Sequence, residues 1–189
     1  REQLNLLLRV AERWEHYPAG IHDDMMELDI KAVFRDVAYL ESLILRRGDK
    51  LVWERARAED YRFREHLLND AFINEQFDES RKDAVQMMIG SHPNPEHGAL
   101  LYVHVPVAFD AQDYESGYWG VFAVLNIPRM LANQVALRSP IFTYTAVSEG
   151  LLLDQAGFWV TAETLEYLQH HALFLYQGKM ATEYIIDRS

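Results

Sequence analysis

Six apolar residues, Met26, Ile30, Val33, Val37, Leu40 and Ile44, follow one another at spacings of 4, 3, 4, 3 and 4. On a helix that rhythm lays down one continuous apolar stripe. Asp23 or Asp24 can cap its start, and Arg46, Arg47 and Gly48 supply a stop with cations at the negative end of the dipole. The expected helix is about 24 residues long, roughly 36 Å at the usual rise per residue. A rod of that length leading into a small domain reads as a stalk. A shorter stripe, Leu4, Leu7, Leu8, Ala11 and Trp14, precedes it and ends at Pro18 and Gly20. Two such stripes raise the expectation of a helix partner, within the chain or across a dimer.

Residues 51 to 77 are charged and aromatic and read as partly helical, with Trp53, Tyr61, Phe63, Leu67, Leu68, Phe72 and Phe77 on the apolar side. Residues 80 to 89 read as a short helix stopped by Gly90. His92-Pro93-Asn94-Pro95 is a loop that no helix can cross. From Gly98 the period changes to two: Leu101, Val103, Val105, Val107 and Phe109 alternate with Tyr102, His104, Pro106 and Ala108. A polar connector over 110–117 joins this strand to a second, Trp119 to Ile127. Pro128 suits the first position of a short helix reaching about Leu137. Strands follow at 141–147 and 150–154, then a turn at Gln155-Ala156-Gly157 into Phe158-Trp159-Val160. Thr161 caps a short helix to Gln169, and a last hairpin spans 172–176 and 180–186 around Gly178. Tight turns between strands imply a mainly antiparallel sheet with the long helices on one face. The fold class is therefore α+β, with long N-terminal helices packed on that sheet.

The chain has 189 residues, 49% of them apolar and 25% charged, which is the composition of a globular domain with a real core. Eighteen Lys and Arg against 29 Asp and Glu leave a net charge of −11. A field of that sign repels phosphate backbones and anionic membrane surfaces, so nucleic acid is not expected as a partner. The densest basic patch is Arg55, Arg57, Arg62 and Arg64. The chain has no cysteine, which removes thiol catalysis, zinc-thiolate sites and disulfides. No apolar run approaches the ~18 residues of a membrane span. The sequence starts at Arg1, and it is read as a piece of a longer protein whose membrane spans lie outside it. His22-Asp23-Asp24 and His170-His171 are adjacent residues that diverge on regular structure, so no metal site is expected. There is no Gly-x-Ser-x-Gly elbow, P-loop or Gly-x-Gly-x-x-Gly turn, so neither catalysis nor a cofactor is expected of this chain.

Three stretches carry a family resemblance. The run from Asp29 to Leu40 resembles the helix that leads into extracytoplasmic Cache sensors, also called PDC domains, which are PAS-like. The stretch Tyr102-Val103-His104-Val105-Pro106-Val107-Ala108-Phe109, a long turn, and Gly120-Val121-Phe122-Ala123-Val124-Leu125-Asn126-Ile127 is similar to their central strand pair. Leu151 to Val160 is similar to their Leu-x-Asp-x-x-Gly-Tyr/Phe-Trp strands. The CHASE sensors share parts of this pattern and are the second candidate. The segment 48–97 is too short and too helical for half of a double Cache domain, so a single module is expected. On this reading residues 1–47 form a helical stalk and lead-in helix, and residues 48–189 a PAS-like sensory domain.

The resemblance implies a receptor ectodomain on the periplasmic or extracellular face of a bacterial inner membrane. It would bind an amino acid, carboxylate or amine and signal to a diguanylate cyclase, histidine kinase or chemoreceptor output. A homodimer through the N-terminal helices would carry the signal, with closure of the pocket shifting the terminal strands against the rod. Tyr102 and His104 share one strand face suited to a ligand pocket, with Leu101, Val103 and Val105 on the other under the long helix. Tyr118, Phe122 and Asn126 share one face of the neighbouring strand, and the register that would match them to the pocket is open. Arg62 and Arg64 could clamp a ligand carboxylate, or simply belong to a solvated charged face. Phe158 and Trp159 read as core, and Asp154 as a turn residue. The competing reading is a soluble α+β enzyme or small-ligand binder with no membrane connection; a third is an ectodomain that only dimerises around an empty pocket. The receptor reading leans on two things: an unbroken rod, and a sheet face with room for a guest.

Overall fold

The computed structural model describes residues 2–16, 24–58, 63–108, 119–132, 141–148, 151–160, 163, 166, 174–177 and 182–187. In chain order these form α1 (Glu2–Trp14), α2 (Asp24–Asp36), β1 (Leu40–Arg47), β2 (Lys50–Ala56), α3 (Arg64–Asn69), α4 (Ala71–Gln76), β3 (Gln86–Ser91), β4 (Ala99–Val107), β5 (Trp119–Asn126), α5 (Ile127–Leu131), β6 (Ile141–Ser148), β7 (Leu151–Asp154), β8 (Phe174–Gln177) and β9 (Thr182–Asp187). Single 3-10 turns lie at Glu79–Arg81 and Pro95–His97. The chain divides into two compact units: residues 1–93 with 100–125, and residues 94–99 with 126–189.

The first unit holds a five-stranded sheet ordered β2-β1-β5-β4-β3. It is antiparallel, which with its helices gives the expected α+β, PAS-like architecture. The long rod is absent. α2 ends at Asp36, and the second half of the expected helix is strand β1, paired antiparallel with both β2 and β5. The reason is tertiary. The guanidinium of Arg57 donates to the carbonyls of Phe34 (2.7 Å), Val37 (2.9 Å) and Leu40 (2.8 Å), so it takes up acceptors that a continuing helix would have used. Its flat face also lies over the Phe34 ring, 5.3 Å from the centroid. Once in the sheet, β1 is a central strand buried on both sides, and such a strand shows a continuous apolar run that periodicity cannot tell from helix. The expected boundary between residues 47 and 48 falls at the tight β1–β2 turn, where Arg47 pairs with Lys50 and Gly48 takes φ +55°.

Two more expectations change. Residues 50–56 are strand, and the helix expected at 80–89 is a 3-10 turn followed by β3. β3 is an edge strand of the sheet, and its free side is not bare. The Gln76 amide donates to Ile89 O (2.8 Å) and accepts from Ile89 N (2.9 Å), standing in for a neighbouring strand.

Side-chain alternation divides the core of this unit. On one face, Leu43 and Leu45 of β1, Val103, Val105 and Val107 of β4, and Trp119, Val121, Ala123 and Leu125 of β5 pack against Leu7, Val10, Ala11 and Trp14 of α1 and Met26, Ile30 and Val33 of α2. Each fully buried Leu, Val or Ile there contributes about 1.5–3 kcal/mol. Trp14 closes the layer: its ring meets Trp53 edge-on at 6.1 Å, and its Nε1 donates to the buried Asp29 carboxylate at 3.0 Å. On the opposite face, Ile44, Leu100, Tyr102, Phe122 and Val124 pack with Met88 and against Phe63, Leu67 and Ile73 from the α3–α4 region.

The second unit holds a four-stranded sheet ordered β7-β6-β9-β8, antiparallel at each pairing. β7 continues into a turn as expected: Asp154 Oδ1 accepts from Ala156 N (2.9 Å) and Phe158 N (3.0 Å), and Gly157 takes φ +89°. Leu153 then bridges Trp159. Phe158 is a correction to the expected core, because it is 37% exposed. The end of the helix expected to reach about Leu137, and most of the helix expected to follow Thr161, fall outside the described residues.

Candidate functional site

The α3–α4 face of the five-stranded sheet differs from the α1–α2 face in what it buries. Register aligns Glu54 of β2 with Ile44 of β1, and Ile44 with Phe122 of β5. Ser42 and Arg46 lie two residues either side of Ile44, on the same face. With Tyr102 and His104 of β4, this face therefore carries Ser42, Glu54, Arg46, Tyr102 and His104 among its apolar residues.

The polar groups form two sets. In the first, Glu54 Oε1 accepts from Ser42 Oγ (3.0 Å) and from the backbone N of Phe63 (2.7 Å), while Oε2 is buried with no hydrogen-bond partner. The Tyr102 side chain is wholly buried and its hydroxyl has no partner either. Burial, and after it the charges of Asp70 and Glu54, push the phenol above its usual range, so it stays protonated. Asp70 is itself held in place as the N-cap of α4, with Oδ1 accepting from Phe72 N (2.9 Å) and Ile73 N (3.2 Å). Gly90 lets the sheet and α4 close on the ring: a Cβ there would lie 3.1 Å from Tyr102 Cε2 and 2.9 Å from Ile73 Cδ1.

The second set surrounds His104. Its ring lies edge-on to Phe77 (5.1 Å) and tilted against Phe122 (5.0 Å), with Nδ1 3.3 Å from Ala84 O. Burial pushes its pKa down to about 4, with the Arg46 cation lowering it further against the opposing Ala84 carbonyl and Glu79 carboxylate. The imidazole is therefore neutral at pH 7. Arg46 reaches over Phe77 (5.4 Å) and Phe122 (6.0 Å) and pairs with Glu79 at 3.2 Å. Gly120 is required beside His104, because any Cβ there would overlap Nε2.

The sequence-derived site residues fall in different places. Tyr102, His104 and Phe122 come together on this one face. Asn126 does not join them: it is the N-cap of α5 in the second unit, accepting from Arg129 N (2.9 Å) and donating to His97 O (3.3 Å). Arg64 sits exposed on α3. Arg62 and Tyr118 lie outside the described residues. Glu54, Asp70 and Arg46 went unread as site residues. Strand alternation over Leu51–Ala56 was the available signal for Glu54, hidden by the charged, helix-like character of that stretch. Among the described residues no cluster of acidic and histidine side chains could hold a metal, and no helix is long and apolar enough to cross a membrane.

No protein-family model matches this sequence, and no curated protein matches it. Solved structures do resemble it. An extracellular ligand-binding receptor from Desulfohalobium retbaense superimposes with a TM-score of 0.50 at 13% identity, over 97% of this chain and 36% of that one. The ligand-binding domain of the Pseudomonas aeruginosa PAO1 amino acid chemoreceptor PctC, in complex with GABA, gives 0.53 at 14% identity, over 97% of this chain and 88% of that one. The chain thus spans about a third of the first structure and most of the second. At these identities the likeness is one of fold.

Proposed function

We propose that this chain is the ligand-binding sensor domain of a membrane-bound bacterial signalling protein, of the extracytoplasmic Cache type. Its ligand is a small amino acid, carboxylate or amine. The output is a diguanylate cyclase, histidine kinase or chemoreceptor module, and the domain sits on the periplasmic side of the membrane. The observation that carries this reading is the wholly buried Tyr102 phenol, without a hydrogen-bond partner, on the sheet face against which the six-residue helices α3 and α4 lie. An orphaned polar group costs about 1–3 kcal/mol, and a ligand-binding face is a natural reason to retain one. The fold shared with two extracellular ligand-binding domains of receptors supports the same reading.

With the rod replaced by two separate 13-residue helices, coupling does not run through a single lever. Ligand on the Tyr102 face reorders α3 and α4, and α1 and α2 on the reverse of the same strands report the change. The ligand acts only through unequal affinity for the two arrangements. A homodimer through the N-terminal helices completes the scheme, and Met25 (55% exposed) and Leu28 (59% exposed) on α2 suit such a contact. Isothermal titration of the domain against amino-acid, carboxylate and amine panels tests the proposal. It expects one class to bind at millimolar affinity or better; no binding from any class, with normal signalling by the parent protein, contradicts it.

A further inference from the structure

Strand β2 holds parts of both covers of the sheet. It lies at the sheet's edge beside β1, and its side chains alternate between the two faces. Toward the helical layer it sends two arginines. Arg55 donates through Nε and a terminal nitrogen, both at 3.1 Å, to Glu27 Oε1 in the first turn of α2. Arg57 donates to Phe34 O (2.7 Å) and Val37 O (2.9 Å), where α2 ends, and to Leu40 O (2.8 Å), where β1 begins. One strand therefore grips α2 at both ends, with a cation at the negative end of the helix.

Toward the other face β2 sends Glu54. Its Oε1 accepts from Ser42 Oγ (3.0 Å) and from the backbone N of Phe63 (2.7 Å), the residue before α3. Arg55 and Arg57 thus lie on the chain between the carboxylate that anchors the start of α3 and the residue it anchors. Arg57 N donates to Glu41 O at 2.8 Å, which carries the β1–β2 ladder up to that connecting segment. A central strand is a stiffer route between the faces: every residue of β5 is buried, so moving it disturbs both cores at once. β2 is an edge strand whose register with β1 shifts between Leu45 and Arg46, and its far end can rock about that irregularity.

We propose that the end of β2 from Glu54 to Arg57 couples the α3–α4 cover to α2, with Arg57 as the positioning residue of the link. This rests on the sensor reading above and deepens it by naming the route from the binding face to its reverse. A shift of Phe63 pulls on Glu54, and the two arginines pass that shift to both ends of α2. Such a coupling is reciprocal, so a perturbation on either side is felt on the other with no ligand present.

Amide hydrogen exchange of the ligand-free 189-residue domain tests the link, with rates taken relative to the β5 amides. Arg57→Gln removes the grip on the end of α2. It should speed exchange about tenfold over residues 33–40, as befits the loss of one or two hydrogen bonds, and at least about threefold over residues 63–76. Glu54→Ala is the reciprocal change. It frees Phe63 N and should speed exchange over residues 63–76 and about threefold over α2. Val10→Ala loosens α1 without touching β2 and should leave residues 63–76 unchanged. Arg57→Lys carries the test should Arg57→Gln not fold. Its single nitrogen replaces the planar fork, and a smaller rise is expected in the same two segments. A rise confined to α2 in the Arg57 variants and to residues 63–76 in Glu54→Ala overturns the link, as does a uniform rise shared by β5. Either result leaves the sensor reading standing, since ligand titration tests that reading separately.

Discussion

The two faces of the five-stranded sheet are built from the same strands and solve different problems. On the α1–α2 side the strands contribute an apolar layer, and the buried carboxylate of Asp29, on a helix, is met by Trp14 Nε1 and by Arg13 at 3.1 Å, while Glu41 of β1 is buried as well. On the α3–α4 side the same strands carry Ser42, Glu54, Arg46, Tyr102 and His104, and part of that set is left unsatisfied. The covers differ too. Two 13-residue helices lie on the first face, and two six-residue helices on the second. Buried unpaired polar groups weaken a core, and on the function proposed above the Glu54 and Tyr102 oxygens mark the α3–α4 face as the one kept for binding.

Substitutions can break or sharpen that contrast. Trp14→Ala should be the most damaging, costing about 3–5 kcal/mol through the cavity and the donor lost to Asp29. Urea unfolding measures it, and ligand affinity per folded molecule should stay unchanged. The pH response comes next and belongs to the other face. With the His104 pKa lowered to about 4, the unfolded chain binds more protons than the folded one between that value and the ordinary 6.5. Stability contributed by the neutral ring is therefore complete above pH 6.5 and lost as pH falls toward 4, by up to about 3 kcal/mol. His104→Gln should flatten that slope in urea titrations at pH 4 to 7, whereas the Arg46 and Glu79 charges facing the ring remain in both proteins.

Gly120→Ala drives a methyl into His104 Nε2, with the ring held by Phe77 and Phe122, and should cost about 1–3 kcal/mol. Combining it with His104→Ala should recover part of that loss, a coupling a double-mutant cycle reads directly. The smallest effect expected is Asp70→Ala, about 1 kcal/mol for the lost cap of α4. That variant should also weaken binding of the ligand found by titration, which no substitution on the α1–α2 face should do.

Much of this contrast was legible in the sequence, and the failures have a common cause. Period-two alternation placed Val103 and Val105 under the helices and Tyr102 and His104 opposite, because β4 and β5 announce themselves by composition and turn signals. The Asp154 turn was legible for the same local reason. The long helix was not, because nothing local interrupts the stripe between Asp24 and Arg47, which has neither Gly nor Pro. Its break depends on Arg57, distant in sequence, and on pairing of β1 with strands on either side. Glu54 was missed by the same route, since its position on the Tyr102 face follows from β1–β2 pairing. Asn126 was misplaced because strand parity alone cannot say that a residue ending a strand will cap the next helix.

The most direct test of the binding-face assignment is amide hydrogen exchange of the domain with and without the tightest-binding probe. The account predicts new protection over Phe63–Gln76 and along β4 near Tyr102, with a smaller change at the α1 and α2 amides. Protection confined to α1 and α2, or to the second unit at residues 126–189, would contradict it.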